Sequence, residues 1–240
     1  AFTDTESCMK AAMRIRKEHM EPAVLEYIDT DIVEYAGKVT GNPYFPVDVD
    51  GDRVGASLLI TLEGNSEENM DSKMEALAEL SEELECLDVL VVDSPTLKRD
   101  MWAAHDAFHI SVEAAAKSSD ELNMTVPAKA LPEFVGFLKG TGISKGLGVY
   151  IYAHVGDGGL HAYFVSDEAR DIFAPLMVGV AQAAYAKCAE LGGNVSSEHG
   201  IGYAKREYLK ASLGETGYAL MGRIKAAFDP NGILNPGKVV

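Results

Sequence analysis

Apolar positions switch between helical and alternating spacing along the chain, and the order of those segments predicts a mixed succession of helices and strands. Residues 4–19 have helical spacing, with Cys8, Met9, Ala12 and Met13 on one face, and Pro22 ends the run. Segment 23–28 reads as a strand, and 53–62 as another, bounded by the Asp50-Gly51-Asp52 turn and by Gly64. An acidic helix over 66–83 presents Met70, Met74, Leu77 and Leu80, and its charged side is most simply a solvated face. The wholly apolar run 89–92 is then expected as a short strand. After a helix over 96–115, the second half reads strand 122–126, helix 128–138, strand 147–154, strand 160–165, helix 167–191 and a short strand near Asn194.

That second half is a complete βαββαβ order, the split motif of ferredoxin-like folds. The first half has the same order without its opening strand, of which Ala1 and Phe2 would be the last residues. The expected fold class is therefore α+β: two fused ferredoxin-like halves, an antiparallel sheet covered on one face by helices, and further helices at the C-terminal end. The chain reads as one domain over 1–240, with 1–95 and 118–196 as an internal duplication and the polypeptide continuing upstream. A single irregular α+β sheet is the alternative.

Charge narrows the partners. Lys and Arg number 21 against 37 Asp and Glu, a formal charge of −16, which repels nucleic acid and anionic membrane surfaces. Three widely spaced cysteines, Cys8, Cys86 and Cys188, build neither a disulfide framework nor a thiolate metal site. No uninterrupted apolar run approaches membrane-spanning length and no signal segment opens the chain, so a cytoplasmic setting is expected. Nothing in the sequence decides an oligomeric state, and a homo-oligomer is compatible with it.

The chemistry concentrates in His154-Val155-Gly156-Asp157-Gly158-Gly159-Leu160-His161, between two strand-like runs. Gly, Asp and Gly suit a tight reversal. If Val155 faces Leu160, His154 directly faces His161, with Cβ atoms about 5 Å apart, close enough for both imidazoles to reach one ion. The loop Ser196-Ser197-Glu198-His199-Gly200 adds an adjacent carboxylate and imidazole, one able to face a metal and the other a substrate. Two His and a carboxylate with open positions suit zinc, manganese or iron(II). Core or hydrogen-bonding histidines are the plainer alternative. Trp102, His105 and His109 have the spacing of core packing. The glycines of 140–148 lack a phosphate-loop context, and 228–238 reads as a helix stop and ordered tail.

Four segments together resemble the C-terminal domain of FAD-linked oxidases of the vanillyl-alcohol-oxidase type. They are Pro22-Ala23-Val24-Leu25-Glu26-Tyr27-Ile28-Asp29, the 154–161 turn, Ser197-Glu198-His199-Gly200-Ile201-Gly202, and the stretch 229–238 with Asn235-Pro236-Gly237-Lys238. The branch is that of D-lactate dehydrogenases, the glycolate oxidase catalytic subunit and D-2-hydroxyglutarate dehydrogenase. The resemblance implies FAD held mainly by an N-terminal domain absent from this chain, a small D-2-hydroxyacid substrate and an unidentified electron acceptor. It implies a divalent zinc, manganese or iron on His154, His161 and Glu198, His199 as general base, and Asn235 approaching the flavin. His105 stands where relatives carry a carboxylate-binding Arg, and Tyr163 where they carry Asn, so both are expected to face substrate. Glu121 replaces a second cation and Gly159 an Asn. The chain by itself is then inactive. Two other classes stay open: a metal-dependent hydrolase or oxygenase using the same residues, and a non-catalytic domain that docks on a separate flavoprotein.

Overall fold

The computed structural model describes residues 1–18, 20–41 and 44–240, so His19, the expected end of the first helix, lies outside the described residues. In chain order the elements are α1 (Thr5–Lys17), β1 (Val24–Asp29), α2 (Thr30–Thr40), β2 (Asp48–Val49), β3 (Asp52–Arg53), β4 (Ala56–Thr61), α3 (Glu67–Glu83), α4 (Pro95–Ala115), β5 (Ser118–Thr125), α5 (Leu131–Ile143), β6 (Gly148–His154), β7 (Gly159–Ser166), α6 (Arg170–Glu190) and α7 (Arg206–Phe228). The last is broken at Gly214, whose φ is +68°.

One antiparallel sheet runs β4-β1-β6-β7-β5. Phe2 bridges Ala56 at one end and Asn194 bridges Thr125 at the other. Because successive side chains point to opposite faces of a strand, each strand divides its residues between two environments. Leu25, Tyr27, Leu122, Met124, Ile151, Ala153, Leu160, Ala162 and Phe164 enter the main core with α1, α5 and α6. On the opposite face Ile28, Leu59, Tyr152, Tyr163 and Val165 meet Ile32 and Val33 of α2 and Met101, Phe108 and Val112 of α4. That second cluster covers only part of its face, and the polar residues of the β6–β7 hairpin lie beside it. The apolar helix α6 is long enough to cross a membrane by composition, but Phe173, Met177, Val180, Ala184 and Cys188 form a buried stripe at near-helical spacing, packed on the sheet.

Two segments depart from the sequence-based expectation. Residues 89–92 are not a strand: the backbone is irregular, and Val89, Leu90 and Val91 are exposed. The residues just before it bind Ala1, through Leu87 N–H to Ala1 O and the Ala1 amine to Asp88 O, and among the described residues the run itself joins no ladder, without which it does not stay extended in a sheet. The helix α2 was not expected. It follows β1 without an intervening turn, capped by the Asp29 carboxylate on Asp31 N–H, so its Ile32, Val33 and Ala36 stripe merges with the strand's apolar run.

Asp29 is buried and pairs with Lys139 at 2.5 Å. Burial pushes its carboxyl up to about 6, with the Lys139 ammonium opposing the rise. Between the ordinary carboxyl value and that raised one, the folded chain keeps a proton that the unfolded chain has released. Its contribution to stability therefore falls as pH rises through that window, by about 2–3 kcal/mol at about 1.4 kcal/mol per unit. Asp29→Asn keeps the cap. Urea unfolding at about pH 4 and about pH 6.5 is expected to show the variant gaining on wild type by that amount; a shift the other way would mean that the Lys139 pair outweighs burial.

Candidate functional site

The hairpin closes two positions away from the expected pairing. His154 pairs with Gly159, and the residue opposite His161 is Tyr152. Val155 does not face Leu160 across the hairpin, because it is drawn fully into the core and its N–H donates to Leu25 O, while Arg16 holds its carbonyl. The turn is tied by Gly158 N–H to His154 O and by the Asp157 carboxylate on Gly159 N–H. His154 and His161 are thus diagonal neighbours on one face, and their imidazoles still converge, with Nε2 atoms 3.1 Å apart.

Glu198 completes the cluster, its Oε1 lying 2.9 Å from His161 Nε2 and 3.7 Å from His154 Nε2. Two donors each about 2.1 Å from one ion, at angles of 90–120°, are about 3.0–3.6 Å apart. The three observed separations span that range, so His154, His161 and Glu198 fit one divalent cation. His199, half exposed, places Nε2 3.8 Å from the same Glu198 oxygen and Nδ1 3.8 Å from Glu121.

Behind each imidazole stands a carboxylate that sequence reasoning missed. Glu26 of β1 lies directly across from His154 and binds its Nδ1 at 2.7 Å. Glu121 of β5 binds His161 Nδ1 at 2.6 Å. With Nδ1 occupied in this way, each ring turns Nε2 toward the shared point, the arrangement that orients histidine ligands in metal sites. Asn123, two residues along β5, accepts the N–H groups of Ser197 and His199 and so ties the Glu198 loop to the sheet. Lys205 donates to the Asn123 main-chain oxygen and to Ser196 Oγ. The available signal was polarity in the wrong place: Glu26 interrupts an apolar strand, and Glu121 and Asn123 recur with period two around Leu122.

The field at the site is acidic. The hydrogen bond to Glu26 raises His154 above the usual imidazole value against the effect of burial. Burial would raise Glu121, but the hydrogen bond from His161 and the nearby His161, His199 and His109 rings bring it below the ordinary carboxyl value. Burial lowers Lys205.

An aromatic wall adjoins the cluster. Tyr152 stacks on the His161 ring with centroids 4.4 Å apart, and burial pushes its hydroxyl up to about 12. Tyr163 is buried beside Tyr152, opposite Glu121, and burial raises its hydroxyl strongly. His105 packs among Trp102, Phe108 and Tyr152 with Nδ1 3.6 Å from the Asp106 carboxylate, and burial lowers it below the usual value against the pull of nearby carboxylates. Asn235 sits at φ +45° on the exposed C-terminal tail and shares no hydrogen bond with the histidine cluster among the described residues. The tail itself is organised by Asp229, which accepts from Ile233 and Leu234 N–H. The glycines of 140–148 end α5 and begin β6.

A family model for the C-terminal domain of FAD linked oxidases matches residues 1–239. The D-lactate dehydrogenase of Anaerostipes hadrus is 36% identical over 239 residues, 99% of this chain and 50% of that protein. The glycolate oxidase subunit GlcD of Bacillus subtilis is 29% identical over 227 residues, 91% of this chain and 45% of that one. Among solved structures, p-cresol methylhydroxylase with substrate bound superposes with a TM-score of 0.68 at 14% identity, over 99% of this chain and 51% of that one. Such an identity speaks for the fold alone. The chain spans about half the length of the curated relatives it matches.

Proposed function

The chain belongs to the C-terminal domain family of FAD-linked oxidases, and from that premise we propose that it is the metal- and substrate-holding part of an FAD-dependent dehydrogenase oxidising a D-2-hydroxyacid to a 2-oxoacid. One observation carries the reading: two imidazole Nε2 atoms and a carboxylate oxygen converge within 3.7 Å, each imidazole backed by its own carboxylate. Relatives named as D-lactate dehydrogenase and glycolate oxidase subunit support the substrate class.

His154, His161 and Glu198 would hold zinc, manganese or iron(II), and FAD would be held mainly by a flavin domain outside this chain. When bound, the metal supplies a Lewis acid for the substrate's hydroxyl and carboxylate oxygens, and FAD supplies the two-electron acceptor. The chain's own residues do the rest. Glu26 and Glu121 hold the two imidazoles in place through Nδ1. His199, with Nδ1 toward Glu121, receives the hydroxyl proton at Nε2. Tyr152, Tyr163, Trp102 and His105 form the wall that shapes the substrate's side chain and excludes water, and Asn235 would meet the flavin from the tail. The electron acceptor that reoxidises the flavin is a separate partner.

The test uses a protein carrying both the flavin domain and this chain, assayed on D- and L-2-hydroxyacids with an artificial acceptor. Chelation is expected to lower D-specific turnover at least about 100-fold, with recovery on adding zinc, manganese or iron(II). His199→Gln is expected to cut kcat by about 10²–10⁴ with bound metal retained. Chelator-resistant turnover in a metal-free preparation would sink the reading. Metal-dependent turnover without flavin would move the site to hydrolase or oxygenase chemistry.

A further inference from the structure

We infer that Glu121 and Asn123 of β5 are positioning residues that lock His161 in its Nδ1–H tautomer, leaving the Nε2 lone pair facing the cation position, and that Asn123 also fixes the loop bearing Glu198 and His199. The inference rests on the metal reading above for its functional meaning, but its geometry stands separately.

Backbone N–H groups only donate, so the Asn123 atom bound by Ser197 N at 3.0 Å and His199 N at 3.3 Å is its carbonyl oxygen. Its amide nitrogen then points at Leu160 O and at His161 Nε2, each 3.4 Å away. That donor favours an accepting Nε2, whereas the Glu198 oxygen 2.9 Å from the same nitrogen favours a donating one. From the other end, the Glu121 carboxylate lies 2.6 Å from Nδ1 and requires that nitrogen to donate. The Nδ1 end decides the tautomer, because the Glu121 contact is the shorter at 2.6 Å and is largely shielded from water, while Glu198 is 54% exposed and free to hydrogen-bond to solvent or to bind the cation. Burial and the stack on Tyr152 keep the ring in that plane.

Strand geometry makes the two residues a unit. Asn123 is directly opposite His161, and Glu121 is two residues along on the same face. A one-residue slip of β5 would turn Leu122 toward His161 in their place. Glu121 also lies 3.8 Å from Nδ1 of both His199 and His109, so one carboxylate faces three imidazoles.

Glu121, His161 and His199 could alternatively be read as a second cation site. The separation of 2.6 Å between Glu121 and His161 Nδ1 argues against it, being shorter than the about 3.0 Å between neighbouring ligands of one ion and typical of a charge-assisted hydrogen bond.

The experiment is two-bond 1H–15N correlation spectroscopy of the histidine rings in the metal-free 240-residue chain at about pH 8, with zinc titration of the same samples. Wild type is expected to show His161 protonated at Nδ1 and to bind one zinc. Glu121→Gln, whose amide can donate toward Nδ1, is expected to shift the tautomer toward Nε2–H and to weaken zinc binding about 10–100-fold. Glu121→Asp keeps the carboxylate and is expected to restore both in part. Circular dichroism melts check that each variant is folded; should Glu121→Gln not fold, the wild-type tautomer and the Asp variant decide. An Nε2–H tautomer in wild type, or a folded Glu121→Gln unchanged in tautomer and affinity, overturns the inference. So does a second zinc equivalent lost in that variant. If wild type binds no zinc, the metal reading fails, while the tautomer still decides the role of Glu121.

Discussion

His161→Ala is expected to weaken zinc binding to the chain by at least about 100-fold, read by competition against a chromophoric chelator. The ring supplies the donor that lies between the other two, 3.1 Å from His154 Nε2 and 2.9 Å from the Glu198 oxygen. Without it, His154 and Glu198 remain 3.7 Å apart as a two-donor set, too few to hold a divalent ion against water. The variant also loses stability by two routes. It leaves the Glu121 carboxylate, half-buried, without its closest donor, at a cost of about 1–3 kcal/mol, and it opens a cavity beside Tyr152. Glu198→Gln separates the effects. Its side chain is 54% exposed, so a weaker zinc affinity is expected with the thermal midpoint unchanged. Stoichiometric zinc retained by a folded His161→Ala protein would show that the histidine cluster is structural.

Gly158→Ala is expected to destabilise the chain by about 3 kcal/mol or more, in the range reserved for forced backbone rearrangement. Gly158 has φ +88°, and a Cβ there would lie 1.9 Å from the Val126 carbonyl oxygen. Both are backbone constraints that no rotamer can relieve. Val126 N–H moreover donates to Gly158 O, so the turn cannot withdraw without breaking that bond. Gly156 in the same turn is the control: a Cβ there meets nothing within 4 Å, and Gly156→Ala is expected to change stability by less than about 1 kcal/mol. Urea denaturation of the two variants makes the comparison. Equal stabilities would mean that the turn's contact with Val126 is dispensable. Zinc affinity should follow stability, because the displaced turn carries His154 and His161 at its two ends.

The residues of the proposed cation site are chemically conspicuous in the sequence: two histidines flank a glycine-rich reversal, and a Glu-His pair sits in an irregular loop. The carboxylates that orient them were not. Glu26 is 128 residues from His154 and Glu121 is 40 from His161, and a lone acidic residue in a strand announces no partner. The departure of 89–92 has the same origin in reverse. Its β-branched composition describes what a strand could contain, while strand formation depends on a neighbouring backbone, and among the described residues none pairs with this segment.

Hydrophobic periodicity alone was enough to set the α+β class, the order of most elements and the hairpin bearing His154 and His161, because those depend on local alternation and turn chemistry. Register belonged to the tertiary level. Val155 faces the core instead of the hairpin, which moves Tyr152 opposite His161 and makes the two histidines diagonal neighbours. The choice of ring nitrogen was settled there too, since it follows from which carboxylates the sheet order β1-β6-β7-β5 brings against the imidazoles. Local sequence can encode a ligand, but orienting that ligand takes hydrogen-bond partners from other strands, and only the packed sheet sets those partners side by side.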